Sequence, residues 1–367
     1  MSSGGRPVAG RLSLTDRYLT LWVLLAMVSG IALGAAVPAL DATLSDLQVG
    51  TISLPIALGL LLMMYPALAK VRYEELGQLR SQKRLFALAL ALNWLVAPMV
   101  MFALAWLLLP GHADYRTGLI IVGIAPCIAM VLIWNDLAQG DNDAAAVLVA
   151  LNALIQVALF SVMAYFYLST LPGWLGLDSQ GLHVSVWEIA RTVLVFLGLP
   201  LAAGYLTRRI ALRRRGRAWY EERFLPRLSP VSFFGLLFTV LMLFAIQGDA
   251  ITSDPASVAL IAVPLVLFFA IMFSVGMGTA RKVGLPYKGS TTVAFTGASN
   301  NFDLAIAVAV GVWGINSGQA LASVVGPLIE VPMLVGLVHV SLWLRPLLFP
   351  ATSELPAPPE IPQQRRT

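Results

Sequence analysis

The stretch TGLIIVGIAPCIAMVLIWNDL, Thr117 to Leu137, decides how the rest of the chain is read. A membrane-spanning helix needs about 20 mostly apolar residues, and this run supplies them. Pro126 interrupts it near the centre. Proline lacks an amide hydrogen and clashes with the preceding turn, so the helix is predicted to break there. Directly after it stands Cys127, the single cysteine among 367 residues. A thiol beside freed backbone groups points to a binding site for a soft, thiol-seeking solute.

Working outward, the composition agrees with a membrane setting. Hydrophobic residues make up 58% of the chain and charged residues 12%, with a mean hydropathy of +0.81. That exceeds what a soluble core absorbs, so the excess must face lipid. Ten segments of spanning length begin near Tyr18, Ile52, Leu85, Thr117, Ala144, Trp187, Pro230, Val258, Gly289 and Gln319. Backbone amides in lipid must bond within their own segment or close a barrel, and these runs do not alternate as barrel strands would. The predicted fold is an all-α polytopic membrane protein with ten transmembrane helices. The first, Tyr18 to Val37, follows several arginines. Its apolar run is longer than the roughly 7 to 15 residues of a cleaved leader, so it is read as a span.

Lys and Arg collect on the cytoplasmic side of short loops. Threading ten helices with the amino terminus inside places all but Arg116 and Arg191 of the 24 basic residues on that side, eight of them (Arg208 to Arg227) between helices 6 and 7. The net charge of +5 is therefore assigned to topology and to contact with anionic lipid, not to nucleic acid. Both termini fall in the cytoplasm, and the membrane is the cytoplasmic one. One cysteine excludes a disulfide framework.

An internal repeat follows from the helix starts. Each of helices 6 to 10 begins about 170–180 residues after its counterpart in helices 1 to 5. Five is an odd number, so the halves are inverted relative to each other, as in many secondary transporters. The predicted organisation is a cytoplasmic segment 1–17, a first five-helix repeat 18–171, a second repeat 172–349 and a disordered cytoplasmic tail 350–367. Helix 4 is interrupted at Gly123 to Cys127, including Pro126, and helix 9 at Thr296 to Asn301, including Gly297. These breaks occupy corresponding places, and two discontinuous helices crossing at mid-membrane are the expected result.

Polar residues at that depth are costly and mark function. Glu330 lies in apolar surroundings between Pro327 and Pro332, where a buried carboxyl can load and release a proton as the cavity alternates. Its structural reading is a carboxyl bonded to a kinked backbone. Asp303 follows Asn300 by one turn and serves either proton coupling or hydrogen bonding. Asp136 reads as an exposed cap, and Asp141 to Asp143 as the turn into helix 5. Cys127 is either a small core hydrophobe or, beside a helix break, a soft ligand. Asn93, Asn152 and Gln156 read as glue between helices. His112, His183 and His339 are scattered, and no spacing suggests a structural metal. Without a Walker loop, dinucleotide fingerprint or nucleophile triad, the chain carries no cofactor, no visible ATPase and no enzyme site.

Three motifs resemble a known family. GIAPCIAMVLIWNDLA (Gly123–Ala138), FTGASNNFDLAIA (Phe295–Ala307) and VGPLIEVP (Val325–Pro332) are similar to the signatures of the arsenical-resistance permeases. These form the arsenite-exporting branch of the bile, arsenite and riboflavin transporter superfamily. The resemblance covers essentially all ten helices. It implies an inverted-repeat carrier that expels trivalent arsenic, and antimony with it, in exchange for protons. By that likeness Cys127 is the required cysteine, a transient As(III) ligand, and Glu330 the required glutamate. An ATPase subunit is compatible but not required. Two positions depart from the common form: Pro126 stands where arginine is frequent, as in a sister subgroup, and Asp303 where glutamate is frequent. The chemistry agrees, since a thiophilic trihydroxide calls for one soft ligand and several hydrogen-bonding partners, which Cys127, Ser299, Asn300 and Asn301 supply. One rival is a sodium-coupled uptake carrier for an organic anion of the bile-acid kind, with Asn300, Asn301 and Asp303 binding sodium. A second is a receptor or scaffold that transports nothing.

Overall fold

A computed structural model describes residues 19–37, 48–49, 52–71, 82–177 and 185–350. The predicted amino-terminal segment 1–17, nearly all of the tail 350–367 and His183 lie outside the described residues. Helices α1 (Leu19–Ala36) and α2 (Leu54–Ala69) come first, separated by a two-residue antiparallel ladder of Gln48–Val49 with Ile52–Ser53. Then follow α3 (Lys83–Leu108), α4 (Ala113–Gly123), α5 (Val131–Leu137) and α6 (Asn142–Trp174). A further run holds α7 (Val186–Val193), α8 (Leu199–Trp219) and α9 (Leu225–Ser253), joined through wide five-residue turns at Leu194–Gly198 and Tyr220–Phe224. The chain ends with α10 (Pro255–Lys282), α11 (Tyr287–Ala298), α12 (Phe302–Trp313) and α13 (Gly318–Leu348). Among the described residues five continuous helical stretches are long and apolar enough to cross a membrane, so the protein is an all-helical, multi-pass membrane protein.

Local sequence sets the boundaries. Asp141, Ser185, Asp254 and Ser317 cap α6, α7, α10 and α13, each side chain accepting from a backbone N–H three residues on. The turn into α6 is thus the one read at Asp141 to Asp143. Asp136 differs: it is half-buried and accepts from Asn142 Nδ2 at 2.7 Å, tying the end of α5 to the start of α6. The arginine-rich segment read as a loop is mostly helical, because arginine, leucine and alanine favour helix once no lipid constraint applies. Gly216, at φ +80°, interrupts it, and Arg217 pairs with Glu221 at 3.0 Å one turn later.

Two groups of helices result. In one, α9 packs on α1 and α2, and α2 on α8. Gly30 and Gly34 on α1 allow the approach: a Cβ at Gly30 would stand 2.5 Å from the Leu241 carbonyl, and one at Gly34 would overlap the Ala245 carbonyl. Small residues four apart let membrane helices touch backbone to backbone. In the other group, α3, α4, α6 and α10 to α13 pack together, with α7 leaning on α6 and α12. Gln247 of α9 reaches across, donating to the Ile315 carbonyl at 2.6 Å in the link between α12 and α13. The cavity described next lies between the groups.

Candidate functional site

Both predicted breaks are present, and they touch. α4 ends at Gly123 and α5 starts at Val131; α11 ends at Ala298 and α12 starts at Phe302. The two linkers pair as a short antiparallel bridge between Pro126 and Asn300. Cys127 N–H donates to the Ser299 carbonyl at 3.0 Å and Asn301 N–H to the Ala125 carbonyl at 2.6 Å. Pro126 thus occupies a bridge position whose own amide is not needed, and the hydrogen bonds fall on its neighbours. Proline both ends the helix and fits the pairing that replaces it.

Breaking a helix leaves carbonyls and amides unpaired, and buried ones must find partners. Asn300 Nδ2 donates to the Val122 carbonyl at 2.9 Å, covering the last turn of α4. Asn301 Oδ1 accepts from Leu304 N–H at 3.2 Å, capping α12. Gln156 of α6 donates to the Pro126 carbonyl, and its Oε1 accepts from Asn301 Nδ2 at 3.0 Å. Of the amides read as glue between helices, Asn152 fits that role, taking Trp94 Nε1–H at 3.2 Å. Gln156 goes further and braces the crossing itself.

Glu330 is 2% exposed. Its Oε1 accepts from Ser299 Oγ–H at 2.8 Å and from Asn300 N–H at 3.3 Å. The helix carrying it runs through Pro327 and Pro332 without a break, so the acid serves the crossing, not a kink of its own helix. Cys127 is 4% exposed, with the Ser299 side chain and the backbone of Ala129 and Val131 beside its sulfur. Cys127 and Glu330 line one cavity, together with Met130, Asn300, Asn301 and Asp303, and with residues of α1 and α9 on the facing side. Asn300 Oδ1 is buried there without a hydrogen-bond partner. No Lys, Arg or His of the described residues lines the cavity, and among them no group of three His, Cys, Asp or Glu side chains converges as a metal site.

The predicted site residues therefore divide. Cys127, Asn300, Asn301, Asp303 and Glu330 face the cavity; Ser299 stands behind them, its hydroxyl spent on Glu330. Gly297 lies in the last turn of α11, ahead of the actual break, where an added Cβ would meet only ordinary contacts at 3.6 Å and beyond. Gly123 is tight, since a Cβ there would overlap Met101 of α3. Sequence reading passed over Gly326, on which the Phe302 ring rests so closely that an added Cβ would overlap it. Phe302 is 3% exposed and packs against Phe269. Gly326→Ala is expected to force the ring toward the cavity and to cost about 1–3 kcal/mol, as overpacking does. A thermal melt in detergent reads it, and an unchanged midpoint would show that the ring yields freely.

Comparison with known proteins gives a consistent picture. The model of the Sodium Bile acid symporter family matches residues 57–254. The chain is 51% identical to the "Arsenical-resistance protein Acr3" of Corynebacterium glutamicum, across 97% of this chain and 96% of that protein. It is 39% identical to the "Uncharacterized transporter slr0944" of Synechocystis, across 90% and 89%. With the "Arsenical-resistance protein Acr3" of Alkaliphilus metalliredigens the identity is 33%, across 89% and 92%.

Proposed function

The chain belongs to the sodium bile acid symporter family, and on that footing we propose that it is a secondary carrier exporting arsenite, with antimonite as a second cargo, in exchange for protons. It is a transporter and not an enzyme. The observation that carries the reading is one cavity holding a lone thiol, an unpartnered asparagine oxygen and two carboxyls.

Arsenous acid carries three hydroxyls and is neutral near neutral pH. At Cys127 a sulfur–arsenic bond forms as one arsenic–hydroxyl bond breaks, and the hydroxide leaves with the thiol proton as water. Arsenic stays trivalent throughout. The two remaining hydroxyls donate to two of the three acceptors lining the cavity, Asn300 Oδ1 and the carboxyls of Asp303 and Glu330. One sulfur ligand gives a bond that water reverses, so the solute is released; three would hold it. Ser299 and Asn300 keep Glu330 turned toward the crossing, and Glu330 carries the exchanged proton. Two relatives similar over about nine-tenths or more of the chain bear the name of arsenical-resistance proteins, so the sodium-coupled rival is not favoured.

The wider arrangement belongs to the same proposal. Ten spans fall into inverted repeats, 18–171 and 172–349, with the crossing at mid-membrane, supported by the paired breaks and by the one-sided arginines. Both termini lie in the cytoplasm, and the membrane is the cytoplasmic one. No ATPase subunit is required. The test is arsenite flux by purified protein in liposomes under an imposed pH gradient. Uptake into inverted vesicles that rises with interior acidity supports exchange. Flux indifferent to the gradient removes the proton, and no flux of arsenite or antimonite removes the function.

A further inference from the structure

Gln156 is fully buried in the middle of an apolar helix, α6, and does not line the cavity. We propose that it is a positioning residue, setting the register in which the two helix breaks cross and hence the stance of Cys127 toward the solute. The role in solute binding rests on the transport reading above.

The amide is used at both ends, and the two ends cannot be exchanged. Its Nε2 donates to the Pro126 carbonyl, one residue before the thiol, and its Oε1 accepts from Asn301 Nδ2 at 3.0 Å. The bridge hydrogen bonds fall on Ala125, Cys127, Ser299 and Asn301, so the Pro126 carbonyl has no partner in the pairing, and Gln156 supplies it. Holding Asn301 by its nitrogen turns the asparagine oxygen toward Leu304 N–H, the cap on which α12 starts. A third helix thus grips one residue from each break with a single side chain. The bridge has only two backbone hydrogen bonds of its own, and such a short pairing slips readily without a side-chain anchor.

The lone cysteine makes the test direct, because maleimide reacts with one site in the whole protein. Gln156→Met keeps length and bulk but removes donor and acceptor, leaving two buried groups unpaired. The full chain in lipid is labelled with N-ethylmaleimide, and the rate per folded molecule is expected to rise about tenfold or more as the break loosens. The arsenite KM is expected to rise by about the same factor, with kcat changed less than about threefold. Gln156→Glu is the conservative variant. Its acid form offers both a donor and an acceptor, and its carboxylate lacks the donor, so its labelling rate relative to wild type should be near one in acid and climb with pH. Labelling that tracks wild type within about twofold in both variants overturns the proposal, even where the yield or melting point falls. Altered labelling beside a wild type that moves no metalloid would overturn the transport reading and leave the brace standing.

Discussion

Cys127→Ala is expected to abolish arsenite export while the protein still folds. The backbone amide of Cys127, not its side chain, makes the bridge bond to Ser299, so the crossing survives the loss of sulfur. The side chain is buried but borders a cavity, and the substitution removes a single heavy atom, which keeps the packing cost small. What disappears is the only thiol of the chain. Removing an outer-shell partner of a metal site typically costs about 10–100-fold in affinity, and removing the bonded atom itself should cost more. Cys127→Ser sharpens the point. It restores a hydroxyl of nearly the same shape, so hydrogen bonding and volume are kept while thiophilic bonding is lost. Export measured in cells lacking other arsenic pumps should fall to background in both variants, with normal amounts of protein in the membrane. Export by Cys127→Ser at near wild-type rate would mean that the solute is held by hydrogen bonds alone, and the sulfur would lose its role.

The sulfur, the acid and the two breaks were legible in the sequence because each violates the rule of its surroundings. A proline inside a spanning run, a polar triplet at Ser299 to Asn301 and a glutamate among leucines and valines all stand out against lipid-facing sequence. Partner choice was not legible. Gln156 looks the same in a sequence whether it bonds a neighbouring helix or an orphan carbonyl, since the difference lies in which carbonyl another break has freed. Ser299 was grouped with the solute ligands because hydroxyls suit a trihydroxide, yet the extended backbone there, at φ −105° and ψ 135°, accompanies a hydroxyl turned to Glu330. Gly297 was credited with the break through low helix propensity, whereas the helix holds through it and yields where Asn300 and Asn301 offer side-chain bonds instead. Gly326 and Gly34 carry no signal in one dimension; their need appears only when Phe302 and Ala245 arrive from elsewhere in the chain.

Glu330→Gln is expected to uncouple the carrier without emptying its site. The amide keeps an oxygen where Oε1 accepts from Ser299 Oγ–H and Asn300 N–H, so the crossing retains both bonds. It cannot take up or release a proton. Arsenite still binds at Cys127, and stabilisation of the purified protein by arsenite in a thermal melt should persist. Flux driven by an imposed pH gradient should fall at least about tenfold, the scale on which a proton-transfer group ordinarily contributes. Glu330→Ala behaves differently. It strands two buried donors at about 1–3 kcal/mol each, so the protein should melt earlier and bind arsenite more weakly. The contrast separates the two duties of one carboxyl, holding the bend and moving the proton. Asp303 lines the same cavity and is the one group placed to take over the second duty. Gradient-driven export surviving in Glu330→Gln but lost in the double variant with Asp303→Asn would transfer proton exchange to Asp303. Survival in both variants would leave exchange without an acid in this cavity and remove protons from the mechanism.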